Sequence, residues 1–205
     1  IALAARTGGV PLRLLRRQRR ILKPRLLVLC DVSGSVRRTA GFLLRLLHTT
    51  QRLFDQTAAF VFVDRPVSAA PLLRAGDATR GLAELETLAG LDLYALSDFG
   101  NLFVELLDDH ATLLTSRTSL LVLGDARCNR FDPQVWALEG IARRVAHLVW
   151  LNPERRERWY TADSRLRDYQ PWIDHLLPAE TPADLAAGVE ALLRAPRPFE
   201  RRTIG

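Results

Sequence analysis

Short apolar runs alternate along this chain with segments in which apolar residues recur every three or four positions. The runs predict buried strands and the amphipathic segments predict helices. The predicted strands are 25–30, 58–63, 118–124 and 147–152, with a weak edge strand at 67–73. The predicted helices are 36–54, 80–90, 101–114, 133–146 and 182–195, whereas 153–179 is less regular. This alternation predicts an α/β three-layer sandwich, with a mostly parallel central sheet, one short antiparallel edge strand and helices on both faces.

Oxygen-bearing side chains follow two of the predicted strands. In RLLVLCDVSGSV the first strand gives way to Asp31, Ser33 and Ser35, and in LVLGDAR a later strand gives way to Asp125. In sheets of this kind, ligands bind in the crevice beyond the carboxyl ends of the strands. The pattern therefore places these four residues where a site is expected.

A hard divalent cation suits this set of side chains. Magnesium prefers oxygen ligands and needs few protein charges, and Asp-x-Ser-x-Ser presents one carboxylate and two hydroxyls from a single loop. Asp125 would add a second carboxylate. The alternative is that Ser33 or Ser35 caps the following helix, but a cap leaves Asp31 and the other serine unexplained. The pattern favours a Mg²⁺ (or Mn²⁺) site.

Composition adds a basic N-terminal segment to this picture. Net charge is +6, and residues 1–30 carry eight basic residues and no acidic one. We expect residues 1–24 to be an arm or linker from an upstream region, 25–195 the domain, and 196–205 a tail. The chain starts at Ile1 and has no methionine, which indicates a piece of a longer protein. Two cysteines and no apolar run of membrane-spanning length favour a cytoplasmic protein without membrane insertion.

Four segments resemble a known family. DVSGS after an apolar strand has the D-x-S-x-S form of the metal-ion-dependent adhesion site (MIDAS) of von Willebrand factor A (VWA) domains. LVLCDVSGSV, LSDFGNLF, LLVLGDARCNRFDP and LVWLNPERRERW occur in the order seen in the bacterial CoxE-like branch of these proteins. The resemblance covers roughly 20–195 and implies the Rossmann-like VWA fold.

The resemblance also implies a ligand set. Asp31, Ser33 and Ser35 match the first motif, Ser97 stands where the family has a threonine or sometimes a serine, and Asp125 matches the third motif. Asp98, beside Ser97, either faces a partner or is a carboxylate at a helix N-terminus, where the helix dipole favours it.

The function that the resemblance implies involves no bond-making. The chain would bind an ion whose coordination is completed by an acidic side chain of a protein partner, and it would not be an enzyme by itself. In the family, the usual associate is a MoxR-type AAA+ ATPase, and the pair is linked to metalloenzyme maturation. A MoxR-type ATPase and a metalloenzyme client are therefore the expected partners.

Other functions are compatible with parts of the sequence. A haloacid-dehalogenase-like phosphatase would use Asp31, Asp125 and Asp132, but its first motif needs a second aspartate where Ser33 stands, and the chain's lone lysine precedes the motif. A metal-independent module could use the basic arm to bind nucleic acid or an acidic protein, although no aromatic residues are interleaved for stacking. Three residues after Asp125 are candidates for reading an acidic partner: Arg127, Asn129 and Arg130.

Overall fold

The computed structural model describes residues 24–33, 53–74, 84–85 and 87–193. In these ranges a six-stranded sheet has the order β3-β2-β1-β4-β5-β6. The strands are β1 (Arg25–Asp31), β2 (Gln56–Phe62), β3 (Pro66–Ser68), β4 (Thr118–Leu123), β5 (His147–Asn152) and β6 (His175–Pro178). All neighbouring pairs are parallel except β2 and β3, which are antiparallel. The predicted mostly parallel sheet with an antiparallel edge strand is confirmed.

Five helices with described bounds accompany the sheet and are numbered here in chain order. They are α1 (Ala70–Arg74), α2 (Phe99–Asp109), α3 (Val135–Ala142), α4 (Leu166–Tyr169) and α5 (Pro182–Leu193). Single 3₁₀ turns occupy Ala111–Leu113, Arg156–Arg158 and Gln170–Trp172. None of these helices combines the length and the apolar character that crossing a bilayer requires.

Two predicted elements differ from the structure, and two lie mostly outside the described residues. The predicted strand 67–73 is split into β3 and α1, because Pro71 has no N–H for a sheet but fits the first turn of a helix. The stretch 153–179 contains β6, which the sequence analysis missed. The predicted helix 36–54 and most of 80–90 fall outside the described residues, as do the basic arm and the tail at 196–205.

The side chains of β1 alternate between two apolar layers, because successive residues of a strand point to opposite faces. Leu27 and Leu29 pack in the layer covered by α2, α3 and α4. Leu26, Val28 and Cys30 pack in the opposite layer, which contains residues of α1 and α5. Burial on both faces explains why β1, β4 and β5 are continuous apolar runs in the sequence.

An aromatic group fills the first layer directly beneath the end of β4. The Trp150 ring stacks on Phe99 and Tyr169, with ring centroids 5.5 and 5.6 Å away. Trp150 Nε1 donates a hydrogen bond of 2.8 Å to the carbonyl of Gly124. These rings therefore fix the backbone at the point where β4 leads into Asp125.

The strand order has its topological switch point at β1, between β1 and β4. From β1, the chain runs to β2 and β3 on one side and then returns to β4, β5 and β6 on the other. The loops that follow β1 and β4 leave the sheet in diverging directions and open a crevice between them. Asp31 is the last residue of β1, and Asp125 lies two residues beyond β4.

Candidate metal centre

Asp31 is a carboxylate buried at the centre of the sheet's carboxyl edge. Its relative exposure is 0%. Its Oδ1 accepts a hydrogen bond of 2.8 Å from the backbone N–H of Ser33. Its Oδ2 is buried and accepts no hydrogen bond from any residue in the described part of the chain. A buried carboxylate oxygen without a donor is costly, so it calls for a ligand.

Asp125 is the second buried carboxylate of the pair. Its exposure is 3%, and its Oδ1 accepts a hydrogen bond of 3.0 Å from the N–H of Arg127. Its Oδ2 lies 3.8 Å from Arg127 Nε. Asp125 therefore has a cation at its outer side, whereas Asp31 has no ion pair with any described residue.

The two carboxylates disfavour each other's charge. Burial raises the pKa of Asp31 to about 7, and the negative charge of Asp125 adds to the increase. Hydrogen bonds from the backbone and hydroxyl of Ser33 oppose that change in the pKa. Two like charges in a desolvated crevice are stable together when a cation neutralises them.

Gly124 allows the pair to sit this close to the aromatic core. A Cβ at this position would lie 2.7 Å from Phe99 Cζ and 3.0 Å from Asp31 Cβ. Real Cβ atoms do not approach other heavy atoms at 2.7 Å, so only glycine fits between the Asp31 side chain and the Phe99 ring.

Ser97 and Asp98 lie in the loop directly before α2. Ser97 is 5% exposed, and its carbonyl accepts a hydrogen bond of 3.0 Å from Asn129 Nδ2. Asp98 is the N-cap of α2, because its Oδ1 accepts a hydrogen bond of 2.9 Å from the N–H of Asn101. Burial raises the pKa of Asp98, although backbone N–H groups oppose the shift. The structure thus gives Asp98 the capping role; its predicted contact with a partner stays a prediction.

The described donors fit a hard cation better than a soft one. Among the described residues, no group of three or more His, Cys, Asp and Glu side chains is arranged to hold a metal ion by itself, and this holds for thiolate and imidazole ligands as well as for carboxylates. Two carboxylates and the Ser33 and Ser97 hydroxyls are oxygen donors of the kind that Mg²⁺ and Mn²⁺ accept. Ser35, the fifth predicted ligand, lies outside the described residues.

Arg127 joins the centre to the segment after β5. Its guanidinium donates to Glu154 Oε2 at 2.7 Å, to Asp163 Oδ1 at 2.9 Å and to the Thr161 carbonyl at 3.2 Å. Only 16% of the side chain is exposed. Burial alone would lower the pKa of Arg127, but the carboxylates of Glu154 and Asp163 raise it overall. Arg127 is therefore engaged within the domain, and its predicted contact with a partner stays a prediction.

Comparison with protein families decides where this chain belongs. The family described as "VWA domain containing CoxE-like protein" matches residues 1–185. The chain belongs to this CoxE-like VWA family.

Solved structures share the fold of this VWA chain at low sequence identity. A von Willebrand factor type A protein from Catenulispora acidiphila has a TM-score of 0.55 and 14% identity, over 84% of this chain and 42% of that one. Proximal thread matrix protein 1 from the mussel byssus, in a structure described as having a zinc-occupied MIDAS motif, has a TM-score of 0.54 and 10% identity, over 84% and 47%. An aerotolerance-related membrane protein from Bacteroides fragilis has a TM-score of 0.51 and 11% identity, over 82% and 96%.

These similarities establish the Rossmann-like VWA fold that the sequence predicted. The chain spans less than half of the length of the first two structures. Comparison with curated proteins finds no match.

The sequence analysis missed three residues that support the candidate centre: Gly124, Glu154 and Asp163. Gly124 was predicted only as the last residue of the strand 118–124, and its close contact with Phe99 and Asp31 depends on packing that the sequence does not show. Glu154 and Asp163 lie in the stretch that has no clear period, and their role depends on Arg127, which is distant in the sequence. An acidic residue after each neighbouring strand would have been a usable signal for Glu154.

We expect the Arg127→Gln substitution to lower the free energy of unfolding by about 2 kcal/mol, because the partly buried carboxylates of Glu154 and Asp163 lose their cation. Arg158→Gln is a matched control, since Arg158 is 67% exposed and lies 3.5 Å from the same Glu154. An exposed pair of this kind contributes about 0–1 kcal/mol. Urea denaturation of the two variants measures the difference, and equal midpoints would show that Arg127 has no positioning role.

Proposed function

We propose that this chain is a metal-ion-dependent protein-binding domain. In this proposal Mg²⁺ or Mn²⁺ is held by Asp31, Ser33, Ser35, Ser97 and Asp125. The main support is the Asp31 carboxylate, which is fully buried, has one oxygen without a donor among the described residues, and lies beside a second buried carboxylate. A divalent cation would both bind the oxygen that lacks a donor and neutralise the two neighbouring negative charges.

The described residues would prepare the centre for a protein partner. A bound ion would supply a Lewis-acidic position at which a partner carboxylate can bind. The Phe99 ring and Gly124 hold Asp31 from below, Arg127 holds Asp125 from the side, and Asn129 holds the backbone of Ser97. We assign recognition and not bond-making to this arrangement, so the chain is not an enzyme by itself.

The family supports a more specific, cytoplasmic role. In the CoxE-like family, the usual associate is a MoxR-type AAA+ ATPase, and the pair is linked to metalloenzyme maturation. We propose such an ATPase and a metalloenzyme client as partners, because the chain belongs to the CoxE-like family.

Titration with Mg²⁺ or Mn²⁺ tests the centre directly. We expect one ion to bind per chain and to stabilise the fold by about 2.7 kcal/mol when its free concentration is 100 times the dissociation constant. Asp125→Asn should abolish this gain. Asp109→Asn is the control, because Asp109 is exposed at the end of α2. Calorimetry and thermal unfolding report both quantities, and equal binding by wild type and Asp125→Asn would reject the centre.

Partner capture tests the function that depends on the ion. Immobilised protein is exposed to the native lysate in Mg²⁺ or in EDTA, beside Asp31→Ala. The proposal expects an AAA+ ATPase to be held by the wild type in Mg²⁺ alone. If the same proteins bind in EDTA and to the variant, the ion does not mediate the contact, and the basic arm becomes the stronger candidate.

A further inference from the structure

A groove of about 710 Å³ opens beside the candidate metal centre. We call it the rim groove; its lining residues are Leu96, Asn129, Arg130, Ala162 and Asp163. They come from three segments: the loop before α2, the loop after Asp125, and the segment after β5.

Two contacts connect residues of the rim groove with residues of the candidate centre. Asn129 Nδ2 donates to the carbonyl of Ser97, the proposed ligand that follows Leu96. Asp163 accepts a hydrogen bond from Arg127, whose Nε lies 3.8 Å from Asp125 Oδ2. The rim groove and the candidate centre are therefore linked through Ser97 on one side and through Arg127 on the other.

Apolar side chains are exposed on the two loops that border the groove. Leu96 is 57% exposed, Tyr94 is 96% exposed, and Phe131 is 45% exposed. The Asn129–Ser97 hydrogen bond of 3.0 Å ties these loops together. Aromatic residues and arginine are enriched in protein–protein interfaces, and exposed apolar side chains grouped near a site indicate binding.

Arg130 determines the charge that the groove offers. Its side chain is exposed, and Arg130 takes part in none of the ion pairs between described residues. The Asp163 carboxylate, by contrast, already accepts from Arg127 Nη1 at 2.9 Å and from the N–H of Asn129 at 3.2 Å. The guanidinium of Arg130 is therefore the charged group in the groove that can pair with an acidic group of a partner.

The backbone holds this surface in a fixed shape. Ala126, Asn129 and Arg130 have φ angles of 62°, 47° and 71°, in the left-handed region that non-glycine residues rarely occupy. The hydrogen bond from the Asn129 N–H to Asp163 helps to maintain this conformation. A preformed surface loses less conformational entropy when a partner binds.

We infer that the rim groove binds an acidic, apolar segment of a protein partner. One carboxylate of the segment reaches the metal centre, a second pairs with Arg130, and an apolar side chain packs on Leu96. This inference rests on the proposed function and names the chemistry of the partner.

Random dodecapeptides displayed on phage, selected on the wild-type protein in Mg²⁺, supply the probe. Two variants alter the groove, Arg130→Glu and Leu96→Ser. Two matched controls make the same changes at exposed positions elsewhere, Arg144→Glu after α3 and Leu193→Ser at the end of α5. Fluorescence anisotropy with the selected synthetic peptides measures affinity, and Mn²⁺ calorimetry confirms that each variant retains its metal centre.

We expect the selected peptides to combine at least two acidic residues with an apolar one. Each groove variant should weaken their binding about tenfold, as for the minority of interface residues whose truncation measurably lowers affinity, and the controls should not. Selection of basic or neutral sequences, or equal affinity for the groove variants, overturns the inference.

The outcomes separate this inference from the proposed function. Binding that is lost in EDTA but unchanged in the groove variants supports the metal centre and rejects the groove. Binding that persists in EDTA and in Asp31→Asn but falls in the groove variants rejects the metal-dependent function, and leaves the groove as the binding surface.

Discussion

The Asp31→Asn substitution is expected to abolish binding of Mg²⁺ and to make the metal-free domain more stable at about pH 8. Both effects have the same origin. Asp31 is fully buried beside Asp125, and burial raises its pKa to about 7. At 1.36 kcal/mol per pKa unit, ionising Asp31 in the metal-free folded state costs about 4 kcal/mol. Asparagine keeps the shape of the side chain without that cost.

The stability of the metal-free wild type should fall as the pH rises, because Asp31 ionises at a higher pH in the folded state than in the unfolded state. Below about pH 4, Asp31 is protonated in both the folded and unfolded states, and it contributes no penalty. As the pH rises from about 4 to 7, the unfolded state releases this proton first, so the stability of the metal-free wild type falls. The advantage of Asp31→Asn should therefore grow by about 2–3 kcal/mol between about pH 5 and 8.

Urea denaturation in EDTA at these pH values measures the free energy of unfolding of both proteins. Adding Mg²⁺ should raise the stability of the wild type and leave that of Asp31→Asn unchanged. Asp109→Asn again serves as the control, since an exposed carboxylate should show neither change. A variant that is less stable than the wild type at every pH would show that Asp31 contributes to packing and is not a charge awaiting a cation.

The Gly124→Ala substitution should destabilise the domain by about 3 kcal/mol. The added Cβ would overlap the Phe99 ring at 2.7 Å and press on Asp31 Cβ at 3.0 Å. Phe99 cannot move aside easily, because its ring stacks on Trp150 and meets the edge of Phe62. Displacement of Asp31 should also weaken Mn²⁺ binding, which calorimetry detects.

Gly140→Ala is the matched control for this change. Gly140 lies within α3, and its added Cβ would meet only the flexible end of Leu107, at 3.3 Å. Alanine is a better helix former than glycine by about 1 kcal/mol, so Gly140→Ala should be neutral or stabilising. If the two variants unfold at the same denaturant concentration, the close packing around Gly124 is not essential.

The central strands were predictable because burial on both faces leaves little room for polar residues. Strand β5 has the predicted bounds, and β1 and β4 differ from theirs by one residue at an end. The edge of the sheet was harder to predict. Strand β6 has four half-buried residues that end in Pro178, so neither apolar continuity nor alternation distinguishes it from a loop.

The site was predictable in its position more than in its contacts. Parallel strands end at the same edge, so Asp31 and Asp125 could be placed together from the sequence. The engagement of Arg127 by Glu154 and Asp163 depends on how a loop of irregular sequence folds back on the domain. A carboxylate at a helix N-terminus was one of two alternatives predicted for Asp98. The structure shows this role, because α2 starts at Phe99 and Asp98 is its N-cap.

The order of the strands also bears on how the chain leaves the ribosome. Strand β1 can pair with β2 early in synthesis, but its other neighbour is β4. The partner of Val28 in β4 is Leu121, so that edge of β1 stays unpaired until Leu121 has been synthesised. During that interval, a nascent chain exposes an apolar strand edge, which is a template for pairing with other chains. The two carboxylates come together when β4 docks, so the proposed ion site forms at that step, before β5 and β6 complete the sheet.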